Sequence, residues 1–190
     1  MDDLDGVIQR CLQGEQSGYD ALYDEYAAGI YRLCYSLLLN REDAEDVAQD
    51  SFVYAFKNLR RFDAQRSSFK TWLYTIAICR CRNMYRRARP TLIDLAQLLL
   101  PGPKTETPEA ALAQQSAQEA VERALRGLNP RLREAVVLRY GHGLTYREIA
   151  EVMGCPQKTA ESRVRLAHDA LRGALQAQGQ GLLEELVLWG

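Results

Sequence analysis

Six polar residues, Lys158, Thr159, Glu161, Ser162, Arg163 and Arg165, crowd into one short stretch. Cations, hydroxyls and a carboxylate are the groups that hydrogen-bond to base edges and phosphates. Interleaved with them, Ala160, Val164, Ala167 and Leu171 recur at spacings of four, three and four. That spacing predicts a helix with one buried stripe. Upstream, Thr145 with Glu148 three residues on has the pattern of a capping box, and Ile149, Ala150, Val152 and Met153 supply apolar contacts. Gly154-Cys155-Pro156 then breaks the chain, because Gly tolerates a left-handed helix end and Pro fits the first turn of the next helix. Thr145 to Leu166 therefore predicts a helix-turn-helix whose second helix enters the major groove.

The total charge hides a second pattern. The 190 residues carry a formal net charge of -1. Met1 to Phe56 holds twelve Asp/Glu against three Lys/Arg, and Lys57 to Arg89 holds ten Lys/Arg against one Asp. The basic block is a candidate phosphate-binding surface, and the acidic block suits a basic protein partner.

These charges sit on predicted helices. Asp20 to Leu39 repeats apolar residues at Leu22, Tyr26, Ile30, Leu33 and Leu37, and tyrosines at 19, 23, 26, 31 and 35 add core bulk. Asn40 caps a helix running to about Leu59, with Ala44, Ala48, Phe52, Ala55 and Leu59 inward. Its outer residues Glu42, Glu45, Asp46, Gln49 and Asp50 form one acidic face, read as having no cationic partners at helical spacing. Arg60 to Ser68 is a polar, basic loop, and Ser67 or Ser68 caps the helix after it. That helix buries Phe69, Trp72, Leu73 and Ile76, then turns basic. Arg80, Asn83 and Arg87 share one face, with Arg82 and Arg86 on its neighbour, and such a helix tracks a phosphate backbone. The loop, with aromatics beside it, suits unstacked bases.

Pro90 to Pro108 holds four prolines and Gly102, which excludes one continuous helix. It reads as a linker, set at 90–117, with an apolar insert at Leu92 to Leu100. Further helices are predicted at about Glu109 to Gly127 and from Asn129-Pro130 to about Tyr140. With no strand-like alternation, the fold class is all-α: a domain at 1–89, a second at 118–176 and an apolar tail at 177–190.

Several chemistries find no support. There is no Gly-rich phosphate loop, and the two histidines have no nucleophile in supporting context. Cys79 and Cys81 would point about 200° apart on a helix, a poor metal site. No catalytic residue, metal or cofactor is expected, and an enzyme is disfavoured. The N-terminus lacks a signal-peptide pattern and no apolar run approaches the roughly 20 residues of a membrane span, so a cytoplasmic protein with reduced thiols is expected.

Two sets of residues resemble a known family. Leu22-Tyr23, Asn40 to Phe56, Arg61-Phe62, Ser68 to Ala77 and Arg86-Arg87 resemble region 2 of bacterial RNA polymerase sigma factors. Leu128 to Tyr140, Leu144 to Gly154, Ser162-Arg163 and Ala167 resemble region 4. Two such domains and a short linker are similar to the extracytoplasmic-function group. The resemblance implies that Glu42, Glu45, Asp46, Gln49 and Asp50 dock on core RNA polymerase, at its β′ clamp, with further contact to the β flap. It implies that Phe62, Asp63, Gln65, Arg66, Ser67 and Ser68, with Lys70 and Trp72, open the −10 promoter element. Arg80, Asn83, Arg86 and Arg87 would guide the DNA. Lys158, Thr159, Glu161, Ser162, Arg163 and Arg165 would read the −35 element. An anti-sigma protein is the implied regulator.

The chain departs from that pattern at Cys79, where many members carry Asn, and at Lys158 and Ala160, where Gly and Val are common. Two other readings compete: a free-standing helix-turn-helix repressor or activator, and a thiol-based redox or metal sensor using Cys79, Cys81 and Cys155. The repressor reading leaves the acidic and basic helices without a task.

Overall fold

A computed structural model describes residues 4–87 and 119–177, all helix and connecting turns. The linker over 90–117, its insert at Leu92–Leu100 and tail residues 178–190 fall outside the described residues. The chain divides into two compact units, Met1–Arg89 and Pro90–Gly190. Among the described residues no helix is long and apolar enough to cross a membrane.

The first unit contains α1 (Leu4–Leu12), α2 (Gln16–Leu38), α3 (Arg41–Lys57), a 3-10 turn (Leu59–Arg61) and α4 (Phe69–Arg87). α2, α3 and α4 pack on one another around Leu22, Ile30, Leu33, Leu37, Phe52, Phe69, Leu73 and Ile78, all buried. Helix α1 has no counterpart among the sequence expectations. Its apolar residues Leu4, Val7, Ile8, Cys11 and Leu12 share one face, and Val7, Ile8 and Cys11 are buried, with α1 packed on α2. Gly18 permits the close approach: a Cβ there would lie 2.8 Å from the Cys11 backbone nitrogen. Tyr19 of α2 also donates its hydroxyl to the Cys11 carbonyl at 2.7 Å.

The corner between α2 and α3 turns on Leu39-Asn40. Leu39 takes φ 54°, unfavourable for a side chain by about 1–2 kcal/mol. Its amide donates to the Tyr35 carbonyl at 2.7 Å, and its side chain is buried, which offsets the strain. Asn40 then caps α3 as expected, accepting from the Asp43 amide at 3.0 Å. Of the five tyrosines expected as core bulk, Tyr23 is 51% exposed, its ring lying over Phe52 at 4.9 Å. Tyr74 of α4 is buried, and burial pushes its hydroxyl up to about 12.

The second unit contains α5 (119–127), α6 (Pro130–Val136), a π-type turn (Val137–Gly141), α7 (Tyr146–Met153) and α8 (Gln157–Ala177). Asn129 caps α6, accepting from the Arg131 amide, with Pro130 in the first turn as the sequence predicts. Buried Arg133 donates to the Arg126 carbonyl at 3.0 Å, placing a cation at the C-terminal end of α5, where the helix dipole favours it. Glu134 is also buried, with the Arg131 guanidinium at 3.3 Å. α6 and α7 both pack on α8.

Candidate nucleic-acid interface

The second unit positions α8 through signals written in a few adjacent residues. The Thr145 hydroxyl accepts from the Glu148 amide, and the Glu148 carboxylate accepts from the Thr145 amide at 2.8 Å, a reciprocal capping box. At the far end of α7, Gly154 takes φ 65°. The Cys155 amide donates to the Ala150 carbonyl at 3.0 Å and the Gly154 amide to Glu151 at 3.2 Å, a Schellman close. Pro156 supplies the carbonyl that accepts the first helical bonds of α8, from Thr159 and Ala160. Ala160, Val164, Ala167, Leu171 and Leu175 are buried. The stripe thus faces the core, and Lys158, Ser162 and Arg165 stand exposed. Thr159, Glu161 and Arg163 are half-buried beside them.

Glu161 has a local partner, accepting from the Gln157 side-chain amide at 3.0 Å. A depression of about 450 Å³ opens along this side of α8, lined by Tyr140, Tyr146, Glu161, Ser162, Arg165 and His168. The π-type turn presents Tyr140 there, 6.0 Å from the His168 ring. Tyr146 is held from behind by the Arg139 guanidinium at 4.8 Å. Sequence reasoning missed both tyrosines: Tyr140 belongs to an element outside the helix-turn-helix pattern, and Tyr146 is on α7 rather than on the helix whose polar residues were read.

In the first unit the loop between the 3-10 turn and α4 is held at both ends. Asp63 closes it locally: its carboxylate accepts from the Gln65 amide at 2.9 Å, and its carbonyl accepts from Arg66 and Ser67. Ser68, rather than Ser67, caps α4, accepting from the Thr71 amide at 3.1 Å. Phe62 enters the loop with its ring 5.5 Å from Phe69 and 5.4 Å from Trp72, which anchors the loop's first residue to the start of α4. Tyr26 reaches the same Phe69 from α2 at 5.3 Å. Gln65, Arg66 and Ser68 are exposed, whereas Phe62, Ser67, Lys70 and Trp72 are half-buried. The Lys70 ammonium lies over the Tyr74 ring at 5.7 Å. Arg60 and Arg61, exposed on the 3-10 turn, add cations beside the loop.

On α4, Asn83 and Arg86 are exposed, and Arg86 donates to the Asn83 side-chain oxygen. Arg87 ends the helix. Arg80 departs from this set: its guanidinium is 4.8 Å from the Tyr54 ring centre and 3.9 Å from the Asp50 carboxylate, both on α3.

Glu42, Glu45, Asp46, Gln49 and Asp50 are all exposed on one face of α3. The reading of this face as having no cationic partners at helical spacing is wrong. Arg41 donates to Glu45 at 2.9 Å across one helical turn, and Asp50 faces Arg80. The i,i+4 partner was overlooked because Arg41 is the first residue of the helix, beside its cap. The second partner arrives from another helix, which sequence spacing does not encode. Among the described residues Glu42 and Asp46 make no ion pair.

Among the described residues no three His, Cys, Asp or Glu side chains gather as a metal site. Cys11, Cys34 and Cys81 are buried, Cys79 is exposed and Cys155 is half-buried.

The first unit therefore carries an acidic helix face and a loop framed by aromatics and cations, and the second unit carries a helix-turn-helix. Comparison with known proteins finds the same combination. The Sigma-70 region 2 family model matches residues 22–91, and the Sigma-70, region 4 model matches residues 118–171. The ECF RNA polymerase sigma factor SigW of Bacillus subtilis is 30% identical over 89% of this chain and 95% of its own length. The RNA polymerase sigma-H factor of Pseudomonas aeruginosa is 33% identical over 90% and 92%. The solved structure of CnrH in complex with the cytosolic domain of CnrY matches with a TM-score of 0.70 at 26% identity, covering 92% of this chain and 99% of that one. The chain belongs to the ECF RNA polymerase sigma factors.

Proposed function

We propose that the chain is the initiation subunit that brings core RNA polymerase to promoters, with each surface described above taking one task. The acidic face of α3, Glu42 to Asp50, docks on a basic surface of the core enzyme. The loop Phe62 to Ser68, with Lys70 and Trp72, opens the −10 element and holds an unstacked base. Asn83, Arg86 and Arg87 carry the DNA backbone along α4. Lys158, Thr159, Glu161, Ser162, Arg163 and Arg165 read the −35 element in the major groove. The protein does no chemistry of its own and acts in the cytoplasm, at the nucleoid once bound to core. We also propose a regulatory protein partner, as CnrH was solved with the cytosolic domain of CnrY. In this reading, 1–89 and 118–176 are the two working domains and 90–117 joins them.

The observation that carries the docking assignment is the exposure of Glu42 and Asp46, one helical turn apart, with no ion pair among the described residues. Two like charges at this spacing cost a few tenths of a kcal/mol in a free helix, a cost that a cationic partner reverses. The test replaces both by lysine, Glu42→Lys with Asp46→Lys, and titrates the full chain against core RNA polymerase. Affinity is expected to fall by about tenfold or more with helix content unchanged. Unchanged affinity would overturn the assignment.

A further inference from the structure

We infer that Arg80, although it belongs to the basic half of α4, serves the docking face of α3 rather than promoter DNA, as the positioning residue for Asp50 and Tyr54. This inference rests on the proposed docking role of α3.

Three observations converge on Arg80. Its guanidinium sits over the Tyr54 ring at 4.8 Å, its Nη1 is 3.9 Å from Asp50, and its side chain is only 27% exposed. Its Nε is buried with no hydrogen-bond partner among the described residues. Lifting the guanidinium toward a phosphate would break the ring contact and the ion pair together. A phosphate arriving instead at the present position would meet the Asp50 carboxylate, a like charge. Arg86 differs: it is exposed, and among the described residues its hydrogen bond goes to neutral Asn83. The basic half of α4 is therefore split by what each cation faces, which composition cannot show.

The same contact reshapes α3. Asp50 has Arg80 at one carboxylate oxygen and Glu45 has Arg41 at one, so each already has part of its charge answered when another cation arrives. Glu42 and Asp46 have no such partner among the described residues. One turn beyond Asp50, Val53 and Tyr54 are exposed, 44% and 42%. An exposed tyrosine backed by an arginine is the composition of an interface anchor, and exposed Val53 adds apolar area beside it. The docking face is thus acidic at its N-terminal end and apolar-aromatic at its C-terminal end. Its partner should carry cations opposite Glu42 and Asp46 and an apolar side chain opposite Val53 and Tyr54. Arg80 keeps Tyr54 presented.

The test compares Arg80→Ala with Arg86→Ala in the full chain, using two readouts. One is the affinity for core RNA polymerase. The other is the salt dependence of promoter binding by preassembled holoenzyme. Arg80→Ala is expected to weaken core binding about three- to fivefold and to leave the salt slope unchanged. Arg86→Ala is expected to leave core binding unchanged and to flatten the slope by about one. In the cycle of Arg80→Ala with Asp50→Asn, the effects on core affinity should be non-additive. Arg80→Lys keeps the charge without the planar stack and should recover part of the affinity; it also replaces the alanine variant if that one folds poorly. A flattened slope with unchanged core affinity, or no change in either, would overturn the inference. The Glu42→Lys, Asp46→Lys variant separates the two levels. If it binds core normally, the docking role of α3 fails; if it loses core and Arg80→Ala does not, only the role of Arg80 fails.

Discussion

Two connections in this molecule do similar work by different means. The turn between α7 and α8 aims a reading helix, and the loop before α4 presents side chains to DNA in our reading. The first is held by partners within six residues, Gly154 with Glu151 and Cys155 with Ala150, and the helix leading into it is capped at its start by Thr145 with Glu148. The second uses local bonds at Asp63 and Ser68, but its anchor is the Phe62, Phe69 and Trp72 cluster, which Tyr26 joins from a different helix. A local device persists when distant packing loosens, whereas a tertiary one does not. This contrast yields measurable differences.

The largest effect should follow Phe69→Ala. Phe69 is fully buried and touches Phe62, Trp72 and Tyr26. Its loss should cost about 3–5 kcal/mol in denaturant unfolding of the first unit and release the loop. A cost under about 1 kcal/mol would show that the loop is held locally after all.

A pH titration comes next. The Tyr74 hydroxyl is raised to about 12 by burial, so the folded state keeps its proton where the unfolded chain has lost it. Its contribution is complete below about pH 10 and is lost as pH rises through about 12, on the order of 2 kcal/mol. Chemical denaturation across that window should show the decline, with Tyr74→Phe showing a shallower one. Parallel curves would contradict the burial argument.

On the local side, Gly154→Ala places a Cβ at φ 65° and should cost about 1–2 kcal/mol in the second unit. Thr145→Ala removes the capping box and should cost about 1 kcal/mol. Thermal melts of both variants check these values. Indifference to both would mean that packing on α6 and α8, not the local bonds, sets the turn. The smallest effect belongs to Arg41→Ala. Its pair with Glu45 is exposed on both sides, so stability should change by no more than about 0.5 kcal/mol.

What was legible in the sequence follows the same division. The cap at Asn40, the box at Thr145, the left-handed Gly154, the Asn129-Pro130 start and the stripe from Ala160 to Leu171 are all short-range patterns, and the fold contains them. The first helix was legible too, since Leu4, Val7, Ile8, Cys11 and Leu12 fall at helical spacing, but at nine residues it is too short to stand without a partner. Its place is set by Gly18 on another helix. Tyr23 was read as core because an aromatic's side of a helix is decided by its neighbours; here it caps Phe52 from outside. In the candidate site, the helices bearing the acidic and reading residues were legible. The pairing of Arg80 with α3 was not, since thirty residues separate it from Asp50. The depression beside α8 was equally hidden, because Tyr140 reaches it through a π-type turn.

The most direct test of the central claim is run-off transcription. The purified chain would be mixed with bacterial core RNA polymerase on a pool of genomic fragments from the source organism. The account predicts defined transcripts that require both components, with start sites sharing a −10 and a −35 motif. Duplex binding by the chain alone, with no transcripts and no association with core, would contradict it.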